Sequence, residues 1–146
     1  MILEMLLAVA HISAILALVV FLSSQIALCR AQWWNRSVLM RMMRLNALCW
    51  GSAGLVLLTG FARALLGAKT WHFYSTQPIF WLKLGAFVCV MGMAIRTTRI
   101  LNHWRLGAVP SAMDIQFLRR WMMIQAHLIM LFPVLGLMMA YGMGVV

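Results

Sequence analysis

Apolar residues run along this chain in four long stretches, and the polar residues collect between them. The stretches reach from Met5 to Leu28, Leu45 to Leu66, Pro78 to Ile95 and Trp121 to Tyr141. With a rise of about 1.5 Å per residue, an α-helix of each length crosses a hydrocarbon core of roughly 30 Å. None alternates apolar and polar side chains with the period of two that a lipid-facing strand requires. The pattern predicts an all-α fold, a transmembrane four-helix bundle in which residues 1–146 form a single integral membrane domain. The first stretch outruns the apolar core of a cleaved signal peptide and has Glu4 in place of a basic cluster at its start. It is therefore expected to remain as the first helix.

Local signals mark where helices begin and bend. Pro78 suits a first-turn position, where its missing N–H would have no partner anyway. Ser111 and Asp114 predict the start of the last helical segment, and Pro133, inside the fourth stretch, is expected to kink it. Trp33 and Trp34 flank one membrane boundary, and Trp71, Phe73, Tyr74 and Trp81 the other, as anchors at headgroup level.

Composition narrows the class. Of 146 residues, 65% are hydrophobic and 10% charged, with a mean hydropathy of +0.95, which excludes a soluble globular domain. The formal charge of +10 arises from 12 Lys and Arg against only Glu4 and Asp114. Nine of those 12 surround two connections. Arg30, Arg36, Arg41 and Arg44 lie around the first, and Arg96, Arg99, Arg105, Arg119 and Arg120 around the third. The second connection has only Lys69, with Arg63 just inside the helix end. By the positive-inside rule, the first and third connections are cytoplasmic and both termini are external, on the periplasmic side of a bacterial cytoplasmic (inner) membrane. The partner implied by the charge is thus the lipid bilayer and not nucleic acid, since the basic residues are split between two short segments with no binding module.

Ionisable groups within apolar spans are costly and usually face the bundle interior. Here they are Glu4, His11, Arg63, Lys83 and His127. Glu4, His11, Leu18 and Gln25 recur at seven-residue steps along one slowly drifting stripe of the first helix. Counting inward from the external side, His11 lies roughly 10 Å deep and Lys83 roughly 8 Å. Arg63 and Glu4 sit near the same end, so four ionisable groups are expected to converge in the outer half. His127, roughly 20 Å from that end, is a poorer partner for His11 unless tilt or the Pro133 kink closes the gap. Either helix packing or a flat ligand would use the space that Ala8 and Ala14 leave around His11.

Other chemistry is thinly represented. Cys29, Cys49 and Cys89 are scattered without a C-x-x-C or C-x-x-C-H pattern, against a structural zinc site or covalent haem attachment. Fourteen methionines, with Met139 and Met143 one turn apart, leave copper binding and simple packing both open. Gly51, Ser52, Ala53, Gly54, Thr59 and Gly60 give the second span a small face for close helix approach. No paired carboxylates, nucleophile elbow, P-loop or dinucleotide fingerprint is present, which disfavours hydrolysis and phosphoryl transfer.

Ala10-His11-Ile12 in the first span, Leu58-Thr59-Gly60-Phe61 closing the second, Phe73-Tyr74-Ser75-Thr76-Gln77-Pro78 and then Phe80-Trp81-Leu82-Lys83-Leu84 opening the third form a familiar order. Over nearly its full length the chain resembles a family of small four-span bacterial membrane proteins of the domain-of-unknown-function type. Over roughly residues 5 to 95 it is also similar to HemJ-type protoporphyrinogen oxidases, and more loosely to CopD-type copper-resistance proteins. The HemJ resemblance implies haem b, bound through a first-helix histidine that matches His11, with Lys83 matching a lysine of that family's functional site. The chain lacks that family's tryptophan after the histidine and its tyrosine-histidine pair near the end of the third helix. The resemblance therefore carries haem binding more directly than protoporphyrinogen oxidation, and any enzymatic activity would be a haem-dependent oxidoreduction.

The expected site follows from both lines. His11 would ligate haem iron, Lys83 would act either as a neutral second ligand or as a charged propionate partner, and Arg63 would clamp a propionate. Electrons would pass to quinone or a membrane complex. Two further readings stay open: a cofactor-free accessory subunit or interaction protein, and copper handling through Met139, Met143 and His11.

Overall fold

The computed structural model describes residues 2–66 and 71–140. Lys69, Tyr141 and Met143, all named above, lie outside the described residues. Helix α1 spans Ile2–Leu28, and a 3₁₀ turn at Ala31–Trp33 leads into α2, Arg36–Leu66. A short α3, Trp71–Ser75, precedes α4, Pro78–Arg105, and α5, Ala112–Ala140, completes the chain. The four long helices have the length and apolarity to cross a membrane. A helix satisfies its backbone N–H and C=O groups within its own segment, as a span in lipid requires, and among the described residues there is no strand.

Helix ends follow from side-chain caps. The Asn35 carboxamide oxygen accepts the Val38 N–H at 2.9 Å and starts α2. At α5 the Ser111 hydroxyl accepts the Asp114 N–H at 3.2 Å, while the Ser111 N–H donates to the Asp114 carboxylate at 2.9 Å, a reciprocal capping box. Pro78 occupies the first turn of α4 as expected. The other end of α4 stops at Gly107, whose φ of +119° only glycine adopts without strain. Helix α5 continues through Pro133.

Three helices run further than the apolar stretches. Helix α2 begins at Arg36 instead of Leu45, α4 continues to Arg105 instead of ending at Ile95, and α5 starts at Ala112 instead of Trp121. Of the nine clustered arginines, only Arg30 therefore stands on a connection. Arginine is a good helix former whose long stem lies along apolar surface, so hydropathy falls before the helix ends. Arg96 lies 4.7 Å from the Trp121 ring centroid and 5.4 Å from that of Phe117, and Arg36 donates to the Arg105 carbonyl at 3.0 Å, where α4 ends. Trp34 packs edge-to-face on the buried Trp104 with centroids 5.0 Å apart, so it is as much a core residue as an anchor.

The long helices form a ring in which α1 packs chiefly on α2 and α4 on α5, with α1 also meeting α5 and α2 meeting α4. Towards the arginine-rich end the interior is filled by Leu22, Met42, Leu101, Trp104, Leu118 and Met122. Thr98 joins α2 to α4: it donates to the Ala94 carbonyl at 2.8 Å and accepts from Asn46 Nδ2 and Trp50 Nε1, each at 2.9 Å. Buried Gln25 and Gln125 donate to the Met42 and Val90 carbonyls of neighbouring helices. Outward-facing residues such as Leu16, Val20, Leu58, Val88 and Leu137 present an apolar surface to lipid.

Candidate functional site

At the α3 end the bundle forms a partly open cavity of about 350 Å³ to which all five helices contribute. Four of the ionisable groups singled out in the sequence line it together: Glu4 and His11 of α1, Arg63 of α2 and Lys83 of α4. Two cations thus face one carboxylate, and among the described residues no ion pair joins them. The fifth group stands apart. His127 is exposed on α5, its Nδ1 2.7 Å from the Met123 carbonyl of its own helix.

Each polar side chain is seated by its neighbours. His11 Nδ1 lies 2.9 Å from Thr59 Oγ1 on α2, and His11 Nε2 has no hydrogen-bond partner among the described residues. Gly60 makes the close approach possible, because a Cβ there would stand 3.2 Å from His11 Cε1. Lys83 turns towards α5, where a Cβ on Gly136 would be 3.6 Å from its Nζ. The amine is therefore directed at a neighbouring helix of the bundle.

Aromatic rings form much of the remaining wall. Phe87 and Phe132 pack with centroids 6.3 Å apart, and both line the cavity. Near α3, Phe73, Tyr74 and Phe80 also line it, with Tyr74 in edge contact with Phe73 at 5.6 Å and tilted against Phe80 at 6.1 Å. Trp81 Nε1 donates to the Ser75 carbonyl at 3.0 Å and ties α4 to α3. The motif Phe73-Tyr74-Ser75-Thr76-Gln77-Pro78 thus builds the rim as well as starting α4.

Some sequence candidates separate from this site. Cys29 and Cys49 are buried, Cys89 is exposed, and all three are free thiols. Among the described residues there is no group of three His, Cys, Asp or Glu side chains able to hold a metal ion. Met139 lines the cavity, whereas its expected companion Met143 is not described. A second cleft, of about 400 Å³, lies at the arginine-rich end beside Arg99, His103 and Asp114. Its opposite charges leave no comparable excess.

Sequence reasoning missed Thr59, Gly60 and Gly136 as site residues. Thr59 and Gly60 were legible as a small helix face, but their pairing with His11 depends on how α1 and α2 are rotated. An imidazole, two cations and aromatic walls can hold an amphipathic ligand with an electron-pair acceptor at one point and anionic groups at others.

No curated protein and no solved structure matches the chain. A family model does, over residues 3–144, and its span takes in every helix apart from Ile2 at the start of α1, and every residue of the cavity. The chain belongs to the family described as predicted membrane protein DUF2214.

Proposed function

We propose that this multi-pass membrane protein binds haem b in the cavity at the α3 end and serves a redox or electron-transfer role in a bacterial cytoplasmic membrane. The observation that carries the reading is the convergence of His11, Arg63 and Lys83 on one aromatic-walled cavity. The donor set fits the group: His11 has an unpartnered Nε2 for iron, Arg63 and Lys83 match anionic propionates, and the rings of Phe87 and Phe132 suit an apolar macrocycle. A volume of about 350 Å³ falls within the range of small-molecule sites. When bound, the haem supplies one-electron chemistry, and the chain's residues hold it, neutralise its carboxylates and exclude water. Quinone or a membrane complex is the proposed electron partner. With the arginine-rich end cytoplasmic by the positive-inside rule, the cavity lies in the periplasmic half and both termini are periplasmic. Cytoplasmic labelling of a C-terminal tag would contradict that orientation.

The visible spectrum of protein purified in detergent from haem-replete cells tests the reading. A Soret band with reducible α and β bands is expected, lost in His11→Ala and kept in His127→Ala. A colourless but folded preparation rejects it. A second reading, a cofactor-free subunit of a membrane complex, draws on Gly85 and Gly92 of α4, both exposed and with open space where a Cβ would stand. It predicts the colourless result together with co-purifying helical partners. Copper handling would instead require Cu(I) binding that depends on Met139.

A further inference from the structure

We propose that Thr59 is the positioning residue of the cavity: it sets the tautomer of His11 and so decides which ring nitrogen is offered to a ligand. The proposal rests on the reading of His11 as the ligand-binding group of this site. A threonine hydroxyl has one proton to donate and two lone pairs to accept with. Thr59 Oγ1 lies 2.6 Å from the Leu55 carbonyl and 3.3 Å from the Val56 carbonyl, and neither oxygen carries a proton. The Thr59 proton is thus committed to its own helix. Only a lone pair remains for His11, so the 2.9 Å contact to Nδ1 requires the imidazole proton to sit on Nδ1. In the uncharged ring, Nε2 is then unprotonated and keeps its electron pair. Imidazole side chains in water prefer the opposite tautomer, with the proton on Nε2.

Gly60 supports the same orientation. A Cβ there would stand 3.2 Å from Cε1 and 3.7 Å from Nδ1, with Nε2 beyond 4 Å. The α2 backbone therefore holds the Nδ1 edge of the ring and leaves Nε2 off it. A division of labour within the cavity follows. His11 Nε2 accepts an electron-pair acceptor, such as haem iron or an N–H donor, and repels an anionic oxygen. Carboxylates must go to Arg63 and Lys83. His127 provides an internal control, since its Nδ1 is bonded to a backbone carbonyl at 2.7 Å and owes nothing to Thr59.

The test compares wild type, Thr59→Ser and Thr59→Val, haem-free in detergent at mildly alkaline pH, by nitrogen-15 NMR of labelled histidine, with His11→Gln for assignment. Wild type and Thr59→Ser should show a protonated Nδ1 and an unprotonated Nε2 at His11. Thr59→Val, of the same shape but without the hydroxyl, should move the proton to Nε2, while the His127 signals stay fixed. A proton on Nε2 in wild type, or no change in Thr59→Val, overturns the assignment. Haemin added to the same three proteins should bind Thr59→Val about 10–100-fold more weakly and Thr59→Ser nearly as wild type. If the tautomer changes as stated but even wild type takes no haem, the haem reading fails and Thr59 keeps its role. If haem binds through His11 with the tautomer indifferent to Thr59→Val, the haem reading holds and the positioning role falls.

Discussion

Replacing Gly60 with alanine tests whether the seat of the imidazole controls the cavity. The new Cβ would stand 3.2 Å from His11 Cε1, tighter than ordinary van der Waals contact, so the ring must yield by a few tenths of an ångström. A shift of that size carries the 2.9 Å bond to Thr59 towards the long limit for an N–H···O bond. Such a bond has a net worth of about 0.5–1.5 kcal/mol, part of which is lost. Against this, alanine restricts the unfolded chain more than glycine does, a gain of about 0.4–1 kcal/mol. The two effects nearly cancel, so stability in detergent should stay within about 1 kcal/mol of wild type. Haem affinity should nevertheless fall about tenfold, because the displaced ring no longer presents Nε2 correctly. Gly51, on the same helix, has nothing within 4 Å of its Cβ position and serves as the control. Gly51→Ala should gain about 0.4–1 kcal/mol and leave haem binding unchanged. Thermal unfolding followed by circular dichroism and haemin titration at the Soret band read both quantities. If Gly60→Ala matches Gly51→Ala in both, the close approach of α2 to His11 has no bearing on the ligand and the reasoning is wrong.

Other predictions separate the remaining residues. Lys83→Met and Arg63→Gln should each weaken haem binding about tenfold, as loss of a charge-assisted bond implies, without moving the absorption bands. Neither should affect haem dimethyl ester, whose propionates are neutral, and a band shift in Lys83→Met alone would place lysine on the iron instead. Ser111→Ala removes the α5 cap and should cost about 1 kcal/mol in unfolding measurements while leaving haem affinity unchanged, since it lies at the other end of the bundle. Cys29, on the connection after α1, is fully buried, and burial pushes its thiol up from 9.0 to about 11, against a smaller opposing effect of Arg119. The folded state favours the protonated thiol, so stability is full below pH 9.0 and declines as pH rises towards about 11. Cys29→Ala should lessen that decline, and water-soluble alkylating reagents should leave Cys29 unmodified near neutral pH.

The four spans were legible because lipid imposes a simple rule on length and apolarity, and α1, the most apolar helix, follows it most closely. Hydropathy was a poorer guide where arginine continues a helix. Residues 36–44, 96–105 and 112–120 read as loop in a transfer scale, yet all are helical. Nothing in hydropathy reports that Arg36 can reach the Arg105 carbonyl or that Arg96 can lie over Trp121. Those contacts are tertiary, and they turn long polar connections into helical extensions with short turns between them. Glu4, His11, Arg63 and Lys83 were legible for the opposite reason: an ionisable group in an apolar run stands out, and depth counting alone brought the four to one end.

What hydropathy conceals is why that end is open. At the arginine-rich end, inward positions are occupied by large side chains, Met42, Trp104, Leu118 and Met122, and the interior is filled. At the α3 end, inward positions include Gly60, Ala64 and Gly136, all three lining the cavity. Glycine and alanine count as unremarkable members of an apolar stretch, so a span that fills space and a span that leaves it look much alike. The difference lies in volume at particular rotational positions, which only the packing of α1 on α2 and of α4 on α5 specifies. The same small residues do two things at once. They leave room for a ligand, and at Gly60 and Gly136 they let a polar side chain of the adjacent helix approach the backbone, which is how His11 and Lys83 are held inside the bundle. Enlarging either glycine therefore acts on a polar group directly, whereas enlarging Gly51 or Gly54 acts on open space.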